Sequence, residues 1–244
     1  MRNNIRIAVA ACVLIALIFG LGAPFRIEGT AGEIAKNTQD PESLTTIAIP
    51  AIDGNGMGTL AEIRVSISDG SGKMAIKANR GTLAISPETL ESVRNAFDAA
   101  NRYSGNRFAA KDVQYEFGST LGVISGGSGG AAIAIATIAG LEGNRIVPGI
   151  LITGSMDKEG KIERVGFILE KAAALNGTEY GTLLVPIGES VYPALPKTCY
   201  LPGGGKDPNC KPPTIIYNVS KETGIEIIEV ENIGEAARLM LIDE

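Results

Sequence analysis

Ser128 stands in a run of small residues, Gly122-Val123-Ile124-Ser125-Gly126-Gly127-Ser128-Gly129-Gly130-Ala131-Ala132, that leads straight into a helix built of alanine and isoleucine. A helix N-terminus offers unpaired backbone N–H groups and a partial positive charge. A serine placed there can attack a carbonyl while neighbouring N–H groups stabilise the oxyanion that forms. Flanking glycines let a substrate backbone approach closely. The same segment fits two other roles: Ser128 as N-cap of a buried helix, or a phosphate-binding loop of the sugar-kinase kind. Ser125 is the competing nucleophile if the loop is read in another register. The sequence contains no histidine. That excludes Ser-His-Asp and Cys-His nucleophile systems, histidine-ligated zinc and an imidazole proton shuttle. A base acting near neutral pH must then be a carboxylate, a lysine of depressed pKa, a thiol or a cofactor.

A second segment bears on that choice. Thr153-Gly154-Ser155, Gly160 and then Val165-Gly166-Phe167-Ile168-Leu169-Glu170-Lys171 resemble the second signature of the Lon protease catalytic domain. There a T-G-E/T segment is followed by a glycine and by V-G-G-x-x-E-K, whose final lysine is the catalytic base. The family's nucleophile loop, D-G-P-S-A-G-like and followed by a small-residue helix, is resembled by Gly127-Ser128-Gly129-Gly130-Ala131. Ser128 and Lys171 lie 43 positions apart, the family separation, and Leu183-Leu184-Val185-Pro186 resembles the strand that follows the lysine helix. The likeness covers roughly residues 112 to 190.

It implies the α+β fold of the Lon proteolytic domain and a serine endopeptidase with Ser128 as nucleophile and Lys171 as general base. It further implies that Thr153 orients the lysine, that N–H groups around Gly127, Ser128 and Gly129 hold the oxyanion, and that the chain forms a hexameric homo-oligomer. No metal or cofactor is expected. The pattern departs at Ser125-Gly126-Gly127, which lacks the family's Asp-Gly-Pro, at Ser155 for glutamate, and at Phe167 for the second glycine. These departures keep a third class open, an inactive interaction module of the same fold.

The chemistry has a physical requirement. A serine hydroxyl becomes a useful nucleophile only when a neighbouring base takes its proton. Lysine, with an ordinary pKa of about 10.4, serves only if burial or local positive potential lowers that value. Phe167, Ile168, Leu169, Ala172 and Ala174 surround Lys171 in sequence and supply apolar neighbours. Relatives that degrade folded proteins carry an ATPase module with a G-x-x-x-x-G-K-[ST] loop. Gly203-Gly204-Gly205-Lys206-Asp207 lacks its hydroxyl residue. The expected activity is therefore ATP-independent cleavage of peptides or unfolded proteins.

The elements that must position these residues can be read from periodicity. Alternation predicts strands over residues 45–49, 61–67 and 74–77, with turns at Gly54-Asn55-Gly56 and Asp69-Gly70-Ser71-Gly72. Ser86-Pro87-Glu88 opens a helix to about Tyr103. A strand over 113–117, a helix over 128–141, strands over 146–153 and 161–163, and a helix over 166–176 follow. Buried strands over 182–185 and 225–230 and a closing helix over 233–242 complete an α+β order.

Residues 7–25 form an uncharged run long enough to cross a bilayer, after Arg2 and Arg6. Residues 1–26 are thus expected to be a membrane anchor or a cleaved signal peptide, residues 27–43 a linker, and residues 44–244 the catalytic domain. That places the domain outside the cytoplasm, tethered to the membrane or secreted. Cys199 and Cys210, in a Pro/Gly-rich loop insertion, would pair as a disulfide there. A net charge of −5 without a basic cluster argues against nucleic-acid binding.

Overall fold

The computed structural model describes residues 41–78, 84–118, 123–194 and 215–243. The N-terminal apolar run, most of the 27–43 linker and the Cys199–Cys210 loop lie outside the described residues. Among the described residues no helix is long and apolar enough to cross a membrane.

The first half is a four-stranded sheet: β1 (Ser43–Ile52), β2 (Gly58–Asp69), β3 (Met74–Ala78) and β4 (Lys111–Phe117), in the order β1-β2-β4-β3. A turn capped by Asp53, whose Oδ1 accepts the N–H groups of Asn55 and Met57, joins β1 to β2 and sets Ile47 opposite Ile63. β3 runs parallel to β4, and the other pairs are antiparallel. Alternation in β2 sends Ile63, Val65 and Ile67 inward.

Two helices cover that inner face. α1 (Pro87–Tyr103) starts at Ser86, whose hydroxyl accepts the Thr89 N–H, with Pro87 in its first turn. α2 (Gly130–Glu142) is buried on every side from Gly130 to Gly140, which explains its composition: only small and aliphatic residues fit between a sheet and other helices. Full burial of Ile133, Ile135 and Ile138 contributes about 1.5–3 kcal/mol each.

The second half is a three-stranded parallel sheet with β6 (Thr182–Pro186) between β5 (Ile150–Ile152) and β7 (Glu226–Val230). α3 (Ile168–Ala173), α4 (Val219–Thr223) and α5 (Ile233–Met240) accompany it. The molecule is thus a mixed α+β structure with several small sheets.

Four local expectations change. The strand over 146–153 is divided, because Pro148 lacks an N–H and Gly149 takes a φ of 81°; Arg145–Ile146 pairs instead with Leu241–Ile242, which also ends the closing helix at Met240. The helix expected from Ser128 begins at Gly130, and the one expected over 166–176 is the six-residue α3. An antiparallel ladder between Val191–Ala194 and Ile215–Asn218, with Tyr192 stacked on Tyr217 at 5.4 Å, was not predicted.

Candidate active site

The glycine-rich loop is held by α1. Ser92 Oγ donates to the Gly127 carbonyl at 2.6 Å and Thr89 Oγ1 to the Gly126 carbonyl at 3.0 Å. Ser86 Oγ accepts the Gly126 N–H at 3.4 Å. Positions 86, 89 and 92 recur every three residues and so share one face at the start of the helix. The two helices meet closely here: a Cβ on Gly130 would lie 2.4 Å from Ser92 Oγ and 3.2 Å from the Met156 N. Glycine at 130 is therefore a packing requirement.

Ser128 is half-buried in the turn before α2. The N-cap of that helix is Gly129, with no side-chain capping bond, so Ser128 is not the cap that the loop's composition also allowed. Its carbonyl accepts the Gly154 N–H at 2.9 Å and Thr153 Oγ1 at 3.2 Å. The carbonyls of Gly126, Gly127 and Ser128 are thus all engaged. The N–H groups of Gly127, Ser128 and Gly129 donate to no protein acceptor among the described residues.

Lys171, on the short helix α3, is 3% exposed. Its Nζ donates to Thr153 Oγ1 at 3.3 Å, and Thr153 is itself fully buried. Among the described residues no carboxylate lies within salt-bridge distance of Lys171. Burial pushes the amine down to about 8, opposed by a weaker attraction from Glu189. Glu189 is turned to Arg164, whose Nε lies 2.5 Å from its carboxylate. The bonds run from Lys171 through Thr153 to the backbone of Ser128, not to Ser125.

Ser128 and Lys171 line one cleft of about 690 Å³, together with Ser125, Gly127, Gly129 and Phe167. Carboxylates of Glu62, Glu88, Glu91 and Glu163 also border it. An open depression of about 700 Å³ at the far end of α2 is lined by residues such as Glu42, Thr45, Lys111 and Glu142; it contains no serine and lysine in such an arrangement, so the chemistry points to the first cleft. Among the described residues no group of three or more Cys, Asp or Glu side chains converges as metal ligands. Thr89 and Ser92 were not read as site residues from the sequence. Their signal was available as two small hydroxyls on an otherwise apolar helix face.

The cleft thus brings together, on an α+β scaffold, a glycine-rich turn and a buried lysine with no carboxylate within salt-bridge distance among the described residues. The chain is distantly similar to archaeal Lon protease. It is 24% identical to that of Pyrococcus abyssi over 197 residues, 79% of this chain and 17% of the relative. To that of Archaeoglobus fulgidus it is 25% identical over 127 residues, 52% of this chain and 20% of the relative. The chain therefore spans about a fifth of the length of these curated relatives. No family model matches it.

Proposed function

We propose that the chain is a serine endopeptidase that cleaves peptides or unfolded proteins without nucleotide, with Ser128 as nucleophile and Lys171 as base. The observation that carries this reading is Lys171: a lysine 3% exposed, without a carboxylate partner among the described residues, bonded to Thr153 in the cleft that holds Ser128. A desolvated amine near neutrality can accept a proton at pH values where an exposed lysine cannot.

In the first step Ser128 Oγ bonds to the substrate carbonyl carbon while its proton passes to Lys171 Nζ. The carbonyl oxygen gains the negative charge, facing the N–H groups of Gly127, Ser128 and Gly129. Collapse breaks the C–N bond, and the ammonium returns its proton to the leaving amine. Water, losing a proton to the same amine, then hydrolyses the acyl ester and restores the serine. Thr153 fixes the lysine's direction in both halves. The distant similarity to archaeal Lon protease agrees in kind with this chemistry.

The catalytic fold is proposed to be that of the Lon proteolytic domain, spanning residues 44–244. Residues 1–26 are proposed as a membrane anchor or signal peptide, residues 27–43 as the linker, and assembly as a hexamer. Purified Ser128→Ala and Lys171→Ala variants are each expected to lose casein cleavage while keeping the circular dichroism of the parent. Cleavage retained by either variant would overturn the dyad.

A further inference from the structure

Phe167 combines three properties that seldom coincide. It holds a left-handed backbone, φ 62° and ψ 37°. It is 61% exposed although its side chain is large and apolar. It lines the cleft that contains Ser128 and Lys171.

The left-handed region is ordinary for glycine and tolerable for asparagine, but unfavourable for an aromatic residue, whose Cβ crowds the backbone. Among the described residues the only other non-glycine residue there is Asn106, a type suited to it. Folding alone would be better served by glycine at 167, since the exposed ring contributes little burial in return. A side chain that lowers stability at its own position, and is displayed in a cleft, is explained by what it does there.

Its place is set from both sides. The Phe167 carbonyl accepts the Lys171 N–H at 3.0 Å, the first bond of α3, so the ring is carried at the start of the helix that bears the lysine. Val165, Met156, Ile49, Pro50 and Ile52 line the same cleft, giving an apolar surface to which the ring adds. An apolar cleft lining that includes one exposed ring, shared with backbone N–H groups that have no protein acceptor among the described residues, suits an extended peptide, with an apolar side chain for the ring and a carbonyl for the N–H groups.

We infer that Phe167 is a substrate-contact residue, which receives a bulky apolar side chain of the peptide near the scissile bond. The inference rests on the cleft being a peptide site, but it is tested by binding, apart from turnover. In a Ser128→Ala background, a fluorescein-labelled, unstructured leucine-containing peptide is compared by anisotropy with its serine-for-leucine counterpart.

Adding Phe167→Ala is expected to weaken binding of the leucine peptide about tenfold, the scale of a lost apolar contact in a pocket. Binding of the serine peptide stays the same. Phe167→Leu should restore affinity to within about threefold, whereas Phe167→Gly should bind poorly while melting no lower than the parent.

Equal affinity of the leucine peptide for Ser128→Ala alone and with Phe167→Ala would overturn the inference. So would absence of peptide binding, or a Phe167→Ala change confined to oligomeric state, which would mark the ring as a contact between copies. Failure of the proposed hydrolysis is read separately, from Ser128→Ala cleavage.

Discussion

Replacing Lys171 with methionine should make this protein more stable at neutral pH, although it removes a side chain from the interior. The amine is held near 8 in the folded protein, against 10.5 for an ordinary lysine. That difference corresponds to about 3 kcal/mol by which the charged lysine disfavours the folded state. Below pH 8 both states carry the proton, so the whole penalty applies. Between about 8 and 10.5 the folded lysine has lost its proton while the unfolded one keeps it. The unfolded state then binds more protons, and stability rises with pH. Above 10.5 no penalty remains.

Methionine has similar length and no charge, and gives up the bond to Thr153 Oγ1, about 1 kcal/mol. Lys171→Met is therefore expected to gain about 2 kcal/mol at pH 7 and to lose that gain progressively from pH 8 to 10.5. Urea unfolding, followed by circular dichroism across that range, measures it; the difference between parent and variant cancels the titration of the tyrosines. A variant less stable than the parent at pH 7, by a margin independent of pH, would show that the amine titrates alike in the folded and unfolded chain, and would remove the physical basis for its acting as a base.

The remaining predictions concern turnover. Because only the neutral amine accepts a proton, kcat/KM for peptide hydrolysis should climb with a midpoint near pH 8, and about two pH units below that midpoint it should fall to about 1% of its plateau; a flat profile from pH 6 to 9 would contradict this. Thr153→Val removes the acceptor of Lys171 and one donor to the Ser128 carbonyl, so stability should fall by about 1 kcal/mol. The same change takes away a partner of the lysinium, so the acid limb should move below 8 as kcat drops; an unmoved limb would separate Thr153 from the base. Ser92→Ala and Thr89→Val release the Gly127 and Gly126 carbonyls and should lower kcat by about 10- to 100-fold, with KM and the acid limb unchanged. Thr89→Ser should recover most of the rate. A rise in KM alone would place these hydroxyls in substrate binding rather than in holding the loop.

Much of the scaffold is legible in local sequence because local physics decides it. Ser86-Pro87-Glu88 specifies a helix start by capping and by proline geometry, and α1 begins at Pro87. Alternation in β2 and in β4 identifies their inner faces. Pro148-Gly149, which divides one strand, carried a breaker signal that the apolar run around it obscured. What stays hidden depends on partners distant in the chain. The Ser92 and Thr89 anchors reach carbonyls 35 and 37 positions away. The ladder of Val191–Ala194 with Ile215–Asn218 pairs segments about 20 positions or more apart in the sequence. Nothing local states that Gly129 rather than Ser128 caps α2, since both are small residues in a small-residue run. For the site, the spacing of Ser128 and Lys171 and the apolar neighbours of the lysine are legible in the sequence, whereas the extent of the lysine's burial and the hydroxyl anchors of the loop are set by the fold.

The length of α3 has a reason in these terms. Six residues, Ile168–Ala173, are too few to be helical in isolation, so tertiary contacts must hold the element. Ile168 and Ala172 are buried on the side it shares with Leu151, Leu183 and Val185, and Gly58 approaches so closely that a Cβ there would lie 1.8 Å from the Glu170 carbonyl. That packing opposes two local costs on the same short segment: the charge of Lys171, and the left-handed backbone of Phe167, about 1–3 kcal/mol. A longer helix extended toward its N-terminus would draw Phe167 into right-handed geometry, re-aim its ring and displace the turn that sets Lys171. The short helix, stopped at an unfavourable residue and pressed against Gly58, holds the lysine and the ring at one cleft at the expense of stability.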